Sequence, residues 1–440
     1  MTSDIRNYMF RFAAGILIAA SAAACSGVRN CQAPDLTIPE SFSDAAATDS
    51  LTIADMDWAE VYSDPMLRSL IARALDRNRN LRSAEARVKR MEELYGVSRS
   101  NQLPSIDYTV GANHETNDYH GNQYKGDPEV DVKLALRWEI DFWGKLKWAR
   151  RQASYDYLAS VEARRAMEMT TIAQVADTYF RLVALDNELA IVRRTLTTRK
   201  ESMDLARLRY EGGLTAETVY QQAKVEYAST AALVPNLEGR ISQTENELAL
   251  LVGEFPGHPL RRAKLDTEFY MPDSADIIVS SRLLQRRPDV RKAENELRSA
   301  MAAVGVTYAD RFPTIGINIT GGLENDEFAT LLKSPFSYIA GTVTGPLLDM
   351  GRRRRRYKAS LAAYDEARNS YEQTVLEVFG EAADAARNYA EARRTVRLRA
   401  ELRDAASKYV ELASLQYRGG SISYLDVLDA QRRYFDAQIS

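Results

Sequence analysis

The sequence is poor in the residues that build metal centres, disulfide frameworks and nucleic-acid surfaces. Its 440 residues include only two cysteines and three histidines, and no two histidines lie at the spacing of metal ligands. The net charge of −3 gives no basic excess, which argues against a nucleic-acid partner. No carboxylate or hydroxyl falls in a recognisable catalytic motif. We therefore expect no enzymatic activity, no cofactor and no metal site.

Long hydrophobic runs are also missing, apart from one short run near the N-terminus. No segment has 18 uninterrupted apolar residues, so we expect no transmembrane helix. Residues 12–24 are apolar, follow two arginines and end in small residues, which predicts a signal peptide over residues 1–24. Cys25 then resembles the lipid-modified first residue of a bacterial lipoprotein, with residues 25–56 as a lipid-anchored segment. The alternative is ordinary cleavage after Ala24, which leaves Cys25 a free thiol.

The chain contains the same unit twice. Residues 84–106 recur at an offset of 209 positions, and residues 210–227 recur at an offset of 207. We therefore predict a first repeat over residues 57–253 and a second over residues 262–440. Each has the order helix, strand, strand, long helix, turn, helix. The second copy stops at Ser440, and we expect it to lack the end of its last helix.

Two segments in each repeat alternate between apolar and polar residues, which predicts β-strands. We expect these strands at about residues 105–114 and 129–142 in the first repeat, and at about 313–323 and 337–347 in the second. The alternation is clearest in the second strand, whose apolar positions are Val130, Val132, Leu134, Leu136, Trp138, Ile140 and Phe142. A loop over residues 115–128 is expected between the first two strands.

The segments that follow the strands have almost no proline or glycine. Residues 145–210 contain neither, and residues 352–417 contain Gly380 alone. In the first segment apolar residues recur every seven positions, at Val175, Leu182, Leu189, Leu196 and Met203. This repeat predicts coiled-coil-like packing. A helix of about 65 residues spans roughly 100 Å, which is too long for one compact globular domain.

Four amphipathic strands in one chain have two possible arrangements. They could form a small soluble sheet in a periplasmic coiled-coil scaffold. They could equally contribute to a transmembrane β-barrel, because they are about ten residues long and the chain carries a secretion signal. Four strands cannot close a barrel, and lipid does not tolerate a free sheet edge. The membrane arrangement therefore requires several copies, and three copies would give twelve strands.

Four stretches of the chain resemble the TolC-like outer-membrane efflux proteins, in particular the NodT/OprM-like lipoprotein branch that serves resistance-nodulation-division pumps. These stretches are Trp58 with Asp64-Pro65, residues 138–144 (Trp-Glu-Ile-Asp-Phe-Trp-Gly), Arg286-Arg287-Pro288-Asp289-Val290 with Phe312-Pro313, and Tyr417 to Gln431 with its Gly-Gly pair. The resemblance runs from about residue 56 to the end of the chain.

The resemblance implies a mostly α-helical fold with a transmembrane β-barrel. In this family three chains form a twelve-stranded barrel in the outer membrane, and their long helices form a tunnel in the periplasm. The implied function is the exit duct of a tripartite efflux system for drugs or other toxic compounds. The implied partners are a periplasmic adaptor (membrane fusion) protein, an inner-membrane resistance-nodulation-division pump and outer-membrane lipid. A protein-secretion conduit of the same fold (type I secretion) is the nearest alternative.

The resemblance also assigns a pore gate at the periplasmic tips of the helix hairpins. It places Asp426 and Asp429 around the pore axis and gives Tyr417 the role of tethering neighbouring helices. The gate arginine of the family falls at Ile422 here, so the latch differs. The alternative is structural, because acids near a helix N-terminus are favoured by the helix dipole without any further role. The hairpin tips are predicted at two glycine pairs, Gly212-Gly213 and Gly419-Gly420.

Five consecutive arginines follow the last predicted strand, at residues 352–356. We expect this row to lie at the periplasmic surface of the bilayer, near anionic headgroups and flanking acids. Three tryptophans, Trp138, Trp143 and Trp148, lie near the end of the second strand. They are typical of an interfacial aromatic girdle, with plain core packing as the alternative.

Overall fold

The computed structural model describes residues 57–118, 124–257, 262, 286–325 and 328–440. The predicted signal peptide and the predicted lipid-anchored segment, including Cys25, lie outside these residues. Across the described part of the chain, no helix carries an apolar stretch long enough to cross a bilayer.

The order of elements repeats, as the duplication predicts. The first repeat contains helices α1 (Trp58–Val61), α2 (Pro65–Arg77) and α3 (Arg79–Ser100), strands β1 (Ser105–Asp118) and β2 (Tyr124–Ile140), and helices α4 (Lys145–Glu211) and α5 (Glu217–Leu251). The second contains helix α6 (Pro288–Ala309), strand β3 (Thr314–Asn325), a 3-10 helix (Phe328–Lys333), strand β4 (Pro335–Thr344), and helices α7 (Arg352–Arg418) and α8 (Tyr424–Ile439). The two long helices α4 and α7 have 67 residues each, within a residue of the predicted bounds.

By their contacts the residues group into two compact units, and each unit draws on both repeats. The sheet unit includes the described residues of Glu85–Arg164 and Leu284–Leu376. The hairpin unit includes those of Pro39–Ala84, Arg165–Leu283 and Glu377–Ser440. The repeats predicted from the sequence therefore do not coincide with the compact units, because each long helix contributes residues to both.

The sheet unit contains one antiparallel sheet in the order β1-β2-β3-β4. One of its faces is apolar and uncovered, since Tyr108 is 80% exposed, Val343 is 73% exposed and Leu134 is 58% exposed. A sheet face of this kind marks contact with lipid or with another protein. Among the described residues, the sheet is therefore not one whose apolar face is packed on a helix.

The opposite face of the sheet is polar and ion-paired. The ammonium group of Lys133 lies 3.0 Å from the carboxylate of Glu324, 3.5 Å from that of Glu129 and 3.6 Å from that of Asp131. Asp131 is buried beside Gly111, where an added Cβ atom would lie 2.3 Å from its carboxylate oxygen. A side chain at residue 111 would therefore displace the Asp131 carboxylate from its present position.

The strand ends differ from the sequence prediction. The pairing of β1 with β2 continues to Asp118 opposite Tyr124, so both strands extend into the stretch predicted as a loop. Strand β2 ends at Ile140 rather than about residue 142, because the Asp141 carboxylate accepts the N–H groups of Leu146 and Lys147 and starts α4. Strand β4 ends at Thr344 rather than about residue 347, because Pro346 has no N–H to continue the ladder.

The core of the hairpin unit lies along the heptad repeat of α4. Val175, Leu182 and Leu189 are buried there, and helix α2 packs against them through Leu67 and Ile71. The later heptad positions, Leu196 and Met203, are only half-buried. The apolar repeat thus builds a core in its first part and a thinner helix-to-helix contact near the hairpin tip.

A buried hydrogen bond joins α2 to this core. The Tyr179 hydroxyl donates to Asp64, whose other carboxylate oxygen accepts the N–H of Met66 at 2.8 Å and caps α2. Both Tyr179 and Asp64 are buried. The bond therefore satisfies an oxygen that water does not reach.

The Tyr179→Phe variant should lose stability, because it leaves a buried carboxylate oxygen of Asp64 unpaired. A lost partner of this kind costs about 1–3 kcal/mol. Thermal unfolding of the purified full-length protein in detergent measures the loss. The Tyr409→Phe variant is the control, since that side chain is 41% exposed. Equal melting temperatures for the two variants would contradict the role of this bond.

Candidate functional site

Both hairpins turn in the same way, at the glycine pairs that the sequence predicts. Gly213 and Gly420 adopt the left-handed conformation, with φ of 73° and 75°. The N–H of Leu214 donates to the carbonyl of Arg209 at 2.8 Å, and the N–H of Ser421 donates to that of Gln416 at 2.9 Å. These bonds close the last turn of each long helix, and a side chain at either glycine would strain the turn.

Asp426 and Asp429 lie about one turn apart at the start of α8. Because residues three apart are neighbours on a helix surface, the two carboxylates share one face. Asp426 forms a capping box with Ser423, whose hydroxyl and N–H donate to its carboxylate at 2.8 and 2.9 Å. These hydrogen bonds lower the pKa of the Asp426 carboxyl below its usual value. Asp426 therefore has a structural role as a helix cap and also presents a charge to solvent.

The charge of Asp429 is partly compensated within its own helix. The guanidinium of Arg433, one turn further along α8, lies 2.8 Å from its carboxylate. Both side chains are at least half exposed, so the pair is weak and open to solvent. Arg433 was not among the residues predicted from the sequence, although its spacing of four residues from Asp429 is the signal that predicts such a pair.

Tyr417 contacts the hairpin of the other repeat. The guanidinium of Arg209, in the last turn of α4, donates to the Tyr417 hydroxyl and lies 5.7 Å from the centre of its ring. The ring of Tyr424 packs on the same tyrosine at 5.6 Å. Ile422, at the position of the family arginine, packs in an apolar cluster with Val427. The cation that meets Tyr417 therefore comes from α4.

The equivalent tyrosine of the first repeat has different partners. The Tyr210 hydroxyl donates to Glu217 at 3.3 Å, and its ring stacks on Tyr220 at 6.4 Å. Gln416 occupies the place that Arg209 has in the first repeat. The duplicated turn thus carries two chemically distinct tips.

A buried ionic network joins both hairpins, and its residue on α8, Arg432, lies about one turn beyond Asp429. Arg199 on α4 lies 3.1 Å from the Glu226 carboxylate on α5, and Arg432 on α8 binds the same carboxylate. Arg199 and Glu226 are buried, and the guanidinium of Arg199 lies 5.1 Å from the ring of Phe435. Burial lowers the pKa of Arg199, and the neighbouring Glu226 opposes that change.

This network was not predicted from the sequence. Arg199 continues the buried line of Thr178, Leu185, Val192 and Ala206 along α4, so it stands where the heptad calls for an apolar residue. A charge at such a position was the available signal. Its partner could not be read from the sequence, because Glu226 lies on another helix.

The chemistry of the site is electrostatic. Within the part of the chain that the structure describes, no group of three His, Cys, Asp or Glu side chains is placed to hold a metal ion. Exposed carboxylates on one helix face can attract cations. The Arg209–Tyr417 contact can hold two helix hairpins together.

Comparison with known proteins gives a consistent match along both repeats. Residues 70–254 and 279–440 match the family model described as outer membrane efflux protein. Outer membrane protein OprJ of Pseudomonas aeruginosa is 31% identical over 97% of this chain and 90% of its own. The probable outer membrane lipoprotein SilC of Salmonella typhimurium is 30% identical over 92% and 89%. A solved membrane protein from Pseudomonas aeruginosa has a TM-score of 0.83 and 29% identity over 94% of this chain and 95% of its own.

The Glu226→Leu variant should be strongly destabilised, because it leaves the buried guanidinium of Arg199 without its carboxylate. Breaking one side of a buried pair costs about 3–5 kcal/mol. The double variant Arg199→Met, Glu226→Leu should lose much less, since neither charge remains. Urea unfolding of the full-length protein in detergent measures both.

The matched control is Glu238→Leu, which removes a pair with Arg193 between the same two helices. That pair is at least half exposed and should contribute about 0–1 kcal/mol. If Glu238→Leu costs as much as Glu226→Leu, or the double variant costs more than the single, burial does not set the energy of the network.

Proposed function

The chain belongs to the outer membrane efflux protein family, and on that premise we propose that three copies of it form a gated exit duct for small molecules. Family membership confirms the fold class and the outer-membrane location predicted from the sequence. As a member of this family, the chain is the outer-membrane component of an efflux system. The duct opens to the exterior through the barrel and to the periplasm through the helices.

One observation carries the proposal, namely a four-stranded sheet with an uncovered apolar face, a polar ion-paired face and two unpaired edges. Strand β1 pairs only with β2, and β4 pairs only with β3, among the described residues. In lipid such edges must be paired, so β1 of one copy joins β4 of the next. Three copies close twelve strands with the apolar faces outward and the polar faces lining the pore.

The duct is passive and depends on partners. A periplasmic adaptor delivers cargo, and an inner-membrane resistance-nodulation-division pump supplies the energy. Lipid on Cys25 holds the N-terminal segment to the outer membrane. The cargo is drugs or other toxic compounds, selected by the pump. The inner-membrane partner that co-purifies with the full-length protein identifies the system, and a protein-secretion transporter in that place would instead indicate type I secretion.

The gate is a ring of charge at the hairpin tips. Asp426 and Asp429 of three copies place six carboxylates around the axis, and three copies of Arg433 offset part of that charge. The corresponding residues of the first repeat are Val219 and Gln222, so only one hairpin of each chain contributes acids. Opening moves the hairpins apart at Gly212-Gly213 and Gly419-Gly420.

A latch closes the gate between the two repeats of one chain. Arg209 on α4 holds the Tyr417 hydroxyl at the end of α7, and the two helices belong to different hairpins. A hydrogen bond to a charged donor is stronger than a neutral one. This contact takes the place of the family arginine, whose position is Ile422 here.

The double variant Asp426→Asn, Asp429→Asn should conduct more and resist block by a trivalent cation. The reason is that the ring loses its carboxylates, each worth about 1 kcal/mol to a nearby cation in water. We expect the half-blocking concentration to rise about tenfold. Single-channel recording of the full-length protein in a planar bilayer, with hexamminecobalt added on the periplasmic side, measures it.

The Arg433→Gln variant should change the block in the opposite direction. It removes the guanidinium that pairs with Asp429, so block by the trivalent cation should become stronger. Since Ser423 lowers the pKa of Asp426, block of the unmodified protein should persist at mildly acidic pH. Asp365→Asn, on the exposed side of α7 in the sheet unit, is the control for an unrelated charge. An unchanged single-channel record in the double variant would contradict the proposed ring of carboxylates.

The Tyr417→Phe and Arg209→Gln variants should each raise the open probability about tenfold, because each removes a charged hydrogen bond of about 1.5–3 kcal/mol. If the two side chains act as one latch, the double variant should open no more than either single variant. Planar-bilayer recording provides the open probabilities. Tyr210→Phe is the matched control at the equivalent tip, where no arginine meets the hydroxyl. Additive effects of the two single variants, or an equal effect of Tyr210→Phe, would contradict the proposed latch.

A further inference from the structure

The two long helices begin with an excess of positive charge. Residues 141–151 carry a net charge of +3 and residues 349–358 carry +5, whereas the whole chain carries −3. These two segments occupy equivalent places in the two repeats, since each one ends seven residues after a matching glycine, Gly144 or Gly351. The charge is therefore a property of one level of the molecule in both repeats.

This level lies at the end of the sheet where strands β2 and β4 finish. The last residues of these two strands lie at the same end of the sheet, and the helices α4 and α7 begin five and eight residues after them. By sequence, the other ends of the strands with their connections are acidic, with −4 over residues 113–131 and −2 over residues 324–335. The strands therefore run between a basic end and an acidic end of the sheet.

Most of these cations meet no acid among the residues that the structure describes. Arg353 is held at the packing side of α7, where it donates to the carbonyl of Asp310 and lies 4.0 Å from Asp349. Successive helical residues point about 100° apart, so Arg354 and Arg355 point away from that contact, whereas Arg356 lies about 60° from Arg353 around the helix. Arg354, Arg355 and Arg356 are all exposed, and none forms an ion pair with any residue that the structure describes.

The same holds at the start of α4. Lys147 and Arg151 are exposed there and form no ion pair within the described residues. Cations in the first turn of a helix also face the partial positive charge of its free N–H groups. Arginines crowded in this way repel one another unless an anion from outside the chain lies between them.

Aromatic side chains surround the basic level. The Trp143 ring stacks on Phe312 at 4.6 Å and donates its N–H to the carbonyl of Pro313 at 2.7 Å. The guanidinium of Arg151 lies 4.7 Å from the centre of the Trp148 ring. Gly305 leaves the space for Trp148, since a Cβ atom there would lie 2.4 Å from the ring. Tryptophan and cations where an apolar face ends are typical of a membrane–water boundary.

We propose that the starts of α4 and α7 form a basic collar that binds the anionic phospholipid headgroups of the periplasmic leaflet. The basic collar is defined by Lys147, Arg151, Arg354, Arg355 and Arg356. The proposal rests on the proposed function, in which the sheet is part of a barrel in the outer membrane. The phosphate groups supply the negative charge that the chain lacks at this level, and the contact sets the depth of the barrel in the bilayer.

The test compares lipid binding by two matched variants of the full-length protein. The collar variant is Arg354→Gln, Arg355→Gln, Arg356→Gln. The control is Arg394→Gln, Arg397→Gln, Arg399→Gln, three exposed arginines elsewhere on the same helix. Native mass spectrometry of the delipidated trimer, titrated with phosphatidylglycerol or phosphatidylcholine, gives the preference for the anionic lipid.

We expect the unmodified protein and the control to prefer phosphatidylglycerol by about tenfold or more, and the collar variant to lose most of that preference. An unchanged preference in the collar variant, or an equal loss in the control, would overturn the proposal. So would an unchanged lipid preference together with weaker retention of the adaptor, which would indicate an acidic protein surface as the partner.

Planar-bilayer recording of the same samples separates this proposal from the proposed function. Channels formed by the unmodified protein without any lipid preference would overturn the collar and leave the duct intact. A failure of the unmodified protein to form channels would overturn the duct. Normal channels from the collar variant would show that it folds, so that its loss of lipid preference reports on the arginines.

Discussion

The constraint on which the rest of this structure depends is that backbone hydrogen bonds must all be paired inside lipid. A sheet of four strands leaves one edge at β1 and another at β4, and no element among the described residues covers either. Closure with other copies satisfies both edges. The same closure turns the uncovered apolar face toward lipid and encloses the polar face with Lys133 and its carboxylates. Oligomerisation is therefore a condition of folding in the membrane.

In the proposed duct, the two similar hairpins provide the scaffold, and the side chains in which they differ provide the gate. Both hairpins keep the left-handed glycine and the same closing hydrogen bonds, because the turn geometry leaves no alternative. The side chains around the turns are free to differ. Acids stand on α8 where α5 has Val219 and Gln222, and Arg209 stands where α7 has Gln416. Arg209 meets Tyr417 across the two copies, whereas Gln416, at the equivalent place, has no charge to offer Tyr210.

The sequence was sufficient for features set by local chemistry. The bounds of α4 and α7 followed from the near absence of proline and glycine, and the strand faces followed from alternation. Features that need a distant partner were missed. Strand β2 stopped early because Asp141 caps the next helix, and the burial of Arg199 depends on Glu226, on another helix. The position of Tyr417 could be predicted, whereas its arginine could not.

The contacts around α8 differ in how far they are open to solvent, and this difference has a mechanical consequence. Near the tip the Tyr417 ring and Arg209 are partly open to solvent. Further along, Arg432 reaches Glu226 from an exposed position, and beyond it Phe435 is buried in the core. Exposed ionic contacts are weak and exchange with water, whereas separating a buried apolar group costs much more. In the proposed gate, the exposed ionic contacts between the two hairpins therefore release before the apolar ones, while α7 and the start of α8 stay joined through the buried Ala413, Val427 and Ala430.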